Sequence, residues 1–197
     1  EATIYQAANQ IQSKFPPSTN HLHFSFCLPG ILYPEKSLSQ ILQANATETF
    51  AVNSIGPLLM IKHFSPFLPR KNVSIPPIGE SMPSHAIWLN MSARVGSISD
   101  NHLGGWYSYR ASKAALNSIT KSFDLHLQNR SGDNAIAISY HPGTVKTDLS
   151  KEFWATVPKG KLFSPEYAVS CIWNIIKRVG LIDRGRCIDW KGEIIQP

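Results

Sequence analysis

The sequence has few cysteines, few charged residues and no long apolar run. Its three cysteines among 197 residues show neither disulfide pairing nor metal-ligand spacing, and an odd number favours a reducing compartment. Charged residues make up 16% and hydrophobic residues 43% of the chain, which excludes extensive disorder and suits one core-forming domain. No stretch approaches the roughly 18 apolar residues of a membrane span, and residues 1–4 lack the start of a secretory signal. We therefore expect a soluble, cytoplasmic protein without a membrane partner.

The chain carries a formal charge of +6, but its basic residues are scattered. No basic run is longer than a pair such as Arg70-Lys71, so nucleic acid is not expected as a partner. His21 and His23 share one face of a predicted strand, as metal ligands could. Because no third ligand lies nearby in sequence, we interpret them as packing residues and predict no metal site.

Apolar periodicity and turn residues divide the chain into alternating helices and strands. The long apolar segment 39–68 predicts a helix with a turn or kink near Pro57. Proline-rich residues 69–84 predict a surface loop inserted between two core elements. The remaining predicted helices are 4–15, 106–127 and 165–179, and the predicted strands are 22–28, 85–91, 135–140 and 186–190.

This alternation predicts an α/β fold with a parallel sheet covered by helices on both faces, a Rossmann-like doubly wound architecture. We expect residues 1–197 to form one domain. Ligands of such sheets bind at the carboxyl ends of the strands, so the loops after Leu28, Met91 and Tyr140 should line one crevice.

Tyr109 and Lys113 are four residues apart on a predicted helix and so share one face. An ammonium group beside a phenol favours the phenolate, and each unit by which the pKa falls corresponds to about 1.4 kcal/mol. This pair predicts a tyrosine that exchanges a proton near neutral pH. The spacing alone is common, and a surface lysine beside a packed ring would produce it too.

The segment Tyr-x-x-Ser-Lys-Ala-Ala-Leu at 109–116 follows a strand ending in Asn-Met-Ser and a loop containing Gly96, and it precedes Pro142-Gly143-Thr144. This arrangement resembles the short-chain dehydrogenase/reductase family over nearly the whole chain. The loop Ser-Ala-Arg-Val-Gly-Ser-Ile at 92–98 resembles, more narrowly, the C-factor or sniffer-type carbonyl reductases. The resemblance implies an oxidoreductase that interconverts a carbonyl and an alcohol with NADP, or alternatively NAD.

The resemblance also assigns roles to matching positions. Tyr109 would protonate the carbonyl oxygen, and Lys113 would lower the pKa of that tyrosine and hold the nicotinamide ribose. Asn53 would support a water that links the lysine to solvent, although a structural asparagine satisfied by backbone groups is the alternative. The cofactor-binding residues that the resemblance implies are Gly30, Tyr109, Lys113, Pro142, Gly143, Thr144 and Thr147.

The serine of the family pattern is altered. In the common Asn-x-Ser-Ser pattern the second serine binds the substrate carbonyl, and that position is Ala93 here. We predict that the adjacent Ser92 replaces it, with Ser97 as another hydroxyl in the same loop. Neighbouring strand residues point to opposite faces, so the side chains of Ser92 and Ala93 would lie on different sides of an extended strand.

The family's glycine-rich dinucleotide turn is absent, and of the usual Asn-Ala-Gly turn after the fourth strand only Gly30 and Ile31 keep the pattern. The resemblance therefore implies a chain that lacks about the first three strands, in which case an organellar leader would also be missing. A non-catalytic interaction protein that has lost its dinucleotide-binding half is the alternative function.

The expected partners are a small carbonyl or alcohol substrate and further copies of the chain, as a homodimer or homotetramer. Four aromatic residues fall where the family covers its substrate with a lid, and they would form an apolar pocket or part of the core: Phe153, Trp154, Phe163 and Tyr167. The sequence does not specify the substrate.

Overall fold

The computed structural model describes residues 1–76, 78–79 and 82–197. These ranges contain five α-helices and seven strands. The helices are α1 (Ala2–Lys14), α2 (Gln43–Phe50), α3 (Gly56–Phe64), α4 (Tyr107–Ser131) and α5 (Pro165–Arg178). The strands are β1 (Phe24–Cys27), β2 (Ala86–Met91), β3 (Ala135–His141), β4 (Thr144–Val145), β5 (Leu162–Phe163), β6 (Cys187–Asp189) and β7 (Ile194–Ile195).

The main sheet has the strand order β1-β2-β3-β6-β7. Strands β1, β2, β3 and β6 run parallel, β7 pairs antiparallel with β6, and β4 and β5 form a separate parallel pair. Because parallel strands end at the same edge, the loops after Cys27, Met91 and His141 lie together. The predicted Rossmann-like α/β fold is confirmed.

The core lies on both faces of the sheet, because alternate strand residues point in opposite directions. One cluster joins aliphatic residues of β2, β3 and β6 to Ile175 and Ile176 of α5. The cluster on the other face includes Trp88 of β2, Ile61 of α3, and Phe123 of α4. Helices therefore cover both faces, and α4 is fixed against the sheet along its length.

The helix predicted over 39–68, with a turn or kink near Pro57, is observed over 43–64 with an irregular turn directly before Pro57. Helices α2 and α3 are separated by one turn of π-helix, Ala51–Ile55, and Pro57 lies in the first turn of α3. Proline is tolerated there because the first helical amides have no partner within the helix. A π-helical turn widens the backbone locally and is common near functional sites.

The predicted strands and the other helices match observed elements, with boundaries that differ by a few residues. The short strands β4, β5 and β7 were not predicted. The predicted loop at 69–84 includes residues 77, 80 and 81, which lie outside the described residues, and its described part contains no helix or strand after Phe67. The division into a single domain stays a prediction. Among the described helices, none is long and apolar enough to cross a membrane.

Candidate active site

Helix α4 carries Tyr109 in its first turn and Lys113 one turn later, on the same face. Both side chains are buried, with 7% of Tyr109 and 2% of Lys113 exposed. Burial of two ionisable groups side by side is costly unless they interact with partners or perform chemistry. The two residues lie on one helix face, as the sequence predicted, and that face is beside the carboxyl end of β2.

The Lys113 ammonium is held at this position by the sheet. Its Nζ donates a hydrogen bond to the backbone oxygen of Met91 at 2.9 Å, and it lies 5.8 Å from the centre of the Tyr109 ring. Burial lowers the pKa of Lys113 to about 8, because the charged form loses hydration. The amine is still mainly protonated at neutral pH, so a buried positive charge lies near the phenol.

The pKa of Tyr109 differs from the sequence-based expectation. We expected the neighbouring lysine to lower it, whereas burial raises it to about 12, because the phenolate form loses hydration. The backbone oxygen of Tyr109 accepts a hydrogen bond from Ser112 Oγ at 2.8 Å. The phenol hydroxyl of Tyr109 has no hydrogen-bond partner in the described part of the chain. The phenol therefore stays protonated at neutral pH, which is the form that can donate a proton.

Asn53 lies in the π-helical turn and is fully buried. Its Oδ1 accepts from Ile31 N at 2.9 Å, and its Nδ2 donates to Ile31 O at 2.9 Å and to Ser112 Oγ at 3.0 Å. A Cβ on Gly30 would lie 3.4 Å from Lys113 Nζ and 3.6 Å from Asn53 Oδ1. Asn53 thus fixes the loop after β1 directly against the lysine, and the water-supporting role from the family stays a prediction.

Ser92 follows β2 and is 3% exposed. Its Oγ donates to Asn117 Oδ1 of α4 at 2.6 Å, and its amide donates to Tyr140 O at 2.8 Å. The hydroxyl is thus already used between the sheet and α4. This contact favours a structural role, and the catalytic role of Ser92 stays a prediction. Ser97, the other candidate, donates to Gln196 O at 2.5 Å.

The segment from Pro142 to Thr147 follows β3 at the same edge of the sheet. Gly143 has φ +78°, and a Cβ there would lie 2.5 Å from a ring carbon of Phe163, so only glycine fits this turn. Thr144 pairs with Leu162, and Thr147 precedes the 3₁₀ segment Asp148–Thr156. Of this segment, Gly143 and Thr144 line a cavity of about 230 Å³ together with Arg94, His141 and Trp190. Cofactor binding by Pro142, Gly143, Thr144 and Thr147 stays a prediction.

The predicted lid aromatics do not form a single cluster, and Trp154 donates from Nε1 to Ser150 Oγ at 2.8 Å. Phe153 contacts Trp106, with ring centres 4.8 Å apart, and Trp106 in turn lies 6.2 Å from the ring of Tyr109. Phe163 contacts Tyr167 and Trp190 on the other side of the Gly143 turn. The group at Trp106 is the one that borders the proposed proton donor.

Sequence analysis missed Glu35, which is 2% exposed and contacts the beginning of α4. An acidic residue in a loop ordinarily indicates a solvated surface, and its partner Ser108 is distant in sequence. No pattern in the sequence connects the two positions.

His21 and His23 do not belong to any group of three or more potential metal ligands among the residues that the structure describes. His21 Nε2 and His23 Nδ1 are 3.3 Å apart, and His23 Nε2 contacts Pro83 O at 3.1 Å. These contacts are those of packed side chains at the end of the sheet opposite to Lys113.

No family model matches the sequence. The chain is 38% identical over 103 residues to 1-hydroxy-2-glutathionyl-2-methyl-3-butene dehydrogenase of a Rhodococcus species, a match that covers 52% of this chain and 38% of that protein. The match thus spans less than half of the relative's length.

Solved structures of other proteins resemble the chain over its whole length, among them two carbonyl reductases. Carbonyl reductase Sniffer of D. melanogaster has a TM-score of 0.82 at 25% identity, and the match covers 100% of this chain and 74% of that one. The NADPH-bound carbonyl reductase from chicken fatty liver has a TM-score of 0.81 at 26% identity, with coverage of 100% and 73%. These matches confirm the resemblance that the motifs indicated.

Proposed function

We propose that this chain, which is related in sequence and fold to the short-chain dehydrogenase/reductase enzymes, interconverts a carbonyl and an alcohol with NADP(H). Tyr109 is the proton donor in the direction of carbonyl reduction. Lys113 is its positively charged neighbour, and the loops after β1, β2 and β3 surround the reacting atoms.

The single observation that carries this proposal is the buried pair on α4. The Tyr109 hydroxyl is protonated and has no partner among the described residues, while the Lys113 ammonium lies 5.8 Å from the ring. A proton leaves Tyr109 for the substrate oxygen as that oxygen gains negative charge, and the ammonium stabilises the phenolate left behind. General acid catalysis of this kind contributes roughly 10²-fold to 10⁴-fold in rate.

The residues around Lys113 fit the nicotinamide end of a dinucleotide. An ammonium has three N–H donors, and Met91 O takes one of them in the described part of the chain, so two can bind ribose hydroxyls. Gly30 leaves the space beside Nζ free of a side chain. When bound, the cofactor supplies or accepts the hydride. The preference for NADPH is supported by the NADPH-bound carbonyl reductase that resembles the chain.

Cofactor binding and turnover test this proposal together. A ligand that binds only the folded state stabilises it by about 2.7 kcal/mol at 100 times its dissociation constant, so NADPH should raise the melting temperature. We also expect NADPH oxidation with a panel of aldehydes and ketones. If the protein shows neither the shift nor the turnover, the proposal fails and the alternative of a non-catalytic interaction protein is supported.

A further inference from the structure

A buried carboxylate is hydrogen-bonded to the beginning of the helix that carries Tyr109. Glu35 belongs to the loop after β1, and its Oε2 accepts from Ser108 N at 2.7 Å while its Oε1 accepts from Ser108 Oγ at 2.6 Å. A carboxylate bonded to a free amide in the first turn satisfies that amide and complements the positive end of the helix dipole. Ser108 is the residue immediately before Tyr109.

The backbone that leads into α4 depends on the same residue. Gly104, Gly105 and Trp106 all have positive φ values, of 65°, 66° and 49°. For tryptophan this left-handed conformation is unfavourable and persists only where other contacts fix it. The amide of Trp106 donates to Glu35 O at 2.6 Å, so the side chain and the backbone of Glu35 both hold the start of the helix.

Two further contacts make this connection rigid. From the helix side, Arg110 Nε donates to Gly105 O at 3.0 Å. From the loop side, Asn53 holds Ile31 through two hydrogen bonds of 2.9 Å. The loop after β1 is therefore fixed at one end beside Lys113 and at the other end beside Tyr109, and Glu35 is the buried charge that joins it to α4.

We propose that Glu35 is a positioning residue for the proton transfer, which rests on the proposed function above. It sets the first turn of α4, and thereby the direction in which the Tyr109 hydroxyl points, without touching the substrate. A shift of about 1 Å in a reacting group can reduce the rate about 10²-fold. Loss of the Glu35 contacts should therefore lower kcat and leave the KM for the carbonyl compound unchanged.

Two variants of Glu35 separate geometry from charge. Glu35→Asp keeps the charge but is one methylene shorter, so it cannot reach both Ser108 atoms from the same backbone position. Glu35→Gln keeps the length of the side chain. It can also keep both contacts, because its amide oxygen can accept from Ser108 N and its amide nitrogen can donate to the Ser108 hydroxyl. The matched control is Glu48→Gln. Glu48 is an exposed residue of α2 that accepts a hydrogen bond at 2.6 Å from the hydroxyl of Tyr33, which lies in the same loop as Glu35.

Steady-state kinetics with NADPH and one carbonyl substrate test the inference, with circular dichroism to verify that each variant is folded. We expect Glu35→Asp to lose kcat by about 10-fold to 10²-fold with an unchanged KM, and the Ser108 amide to exchange its hydrogen faster. Glu35→Gln should retain most of the activity, and Glu48→Gln all of it.

The outcomes separate this inference from the proposed function. If the parent protein turns over substrate and Glu35→Asp does so equally well, only the role of Glu35 is refuted. If Glu35→Asp has a lower melting temperature but the parental kcat, Glu35 is only a structural residue and its positioning role is also refuted. If the parent protein itself shows no turnover, the proposed function fails and the inference fails with it.

Discussion

Burial, rather than the nearby charge, dominates the ionisation of Tyr109 and Lys113. It raises the pKa of the phenol to about 12 and lowers that of the amine to about 8, since both charged forms lose hydration. The spacing of the two residues and their shared face were predictable from the sequence. The direction of the tyrosine shift was not, because it depends on how completely the folded chain covers the ring.

The position of Ser92 leads to a prediction about the altered serine motif. Ser92→Ala removes the hydrogen bond to Asn117 Oδ1 and should lower the free energy of unfolding by about 1–2 kcal/mol. If the hydroxyl is only structural, as this contact favours, turnover should change little. Denaturant unfolding and steady-state rates check this result. A large loss of turnover at unchanged stability would instead identify Ser92 as the substrate-binding hydroxyl.

Ala93 offers the complementary variant, because it occupies the position of the second serine in the family pattern. If that pattern applies, Ala93→Ser adds a donor at the substrate oxygen and should raise turnover by up to about 10²-fold. The KM and kcat of this variant, measured beside those of Ser92→Ala, decide which of the two positions faces the substrate.

Helices and strands with a strong periodic pattern were predictable, and elements defined by tertiary contacts were not. Helix α4 was predicted from 106 to 127 and extends over Tyr107–Ser131. A turn or kink near Pro57 was predictable, but its π-helical form at 51–55, which carries the Asn53 that bonds to Ile31 in a different element, was not. The strands β4, β5 and β7 have two residues each, too few to show an alternating pattern.

The loop after β2 packs closely against α4, which leads to a prediction about the stability of the protein. A Cβ on Gly96 would lie 2.8 Å from the carbonyl carbon of Lys113 and 2.9 Å from its Cβ. Gly96→Ala should therefore destabilise the protein by about 1–3 kcal/mol and reduce turnover by displacing Lys113. The matched control is Gly180→Ala, where a Cβ would meet nothing within 4 Å. Equal melting temperatures for the two variants would contradict this packing.

The parallel part of the main sheet, which consists of β1, β2, β3 and β6, was predictable because helices separate these strands along the chain. What joins its parts into a site was not, since Glu35 and Ser108, or Asn53 and Ile31, are far apart in sequence. Sequence periodicity shows which face of an element is buried. It does not show which loop will meet which helix.

Acid sensitivity is a prediction for the folded molecule as a whole. Burial is the main cause that lowers the pKa of His23 and His85, and it lowers that of His141 to about 4. Below about pH 6.5 the unfolded chain binds protons that the folded chain does not, so stability present at neutral pH is lost as the pH falls towards about 4. For His141 the loss between about pH 7 and about pH 5 is about 2 kcal/mol.

Thermal unfolding of the parent protein and of His141→Gln at these two pH values measures this contribution. The variant should lose less stability on acidification than the parent, whereas the exposed-site control His102→Gln should behave like the parent. If His141→Gln and the parent lose stability equally, His141 is not the acid-sensitive group.

The most direct test of the proton-donor role compares Tyr109→Phe with Tyr107→Phe. Tyr107 lies on the same helix two residues away and is 39% exposed, so its variant controls for loss of a phenol. Each variant would be measured for NADPH affinity and for NADPH-dependent reduction of a carbonyl compound. We predict that Tyr109→Phe still binds NADPH but loses about 10²-fold to 10⁴-fold in turnover, while Tyr107→Phe retains its turnover. Parental turnover in Tyr109→Phe would contradict the proposed mechanism.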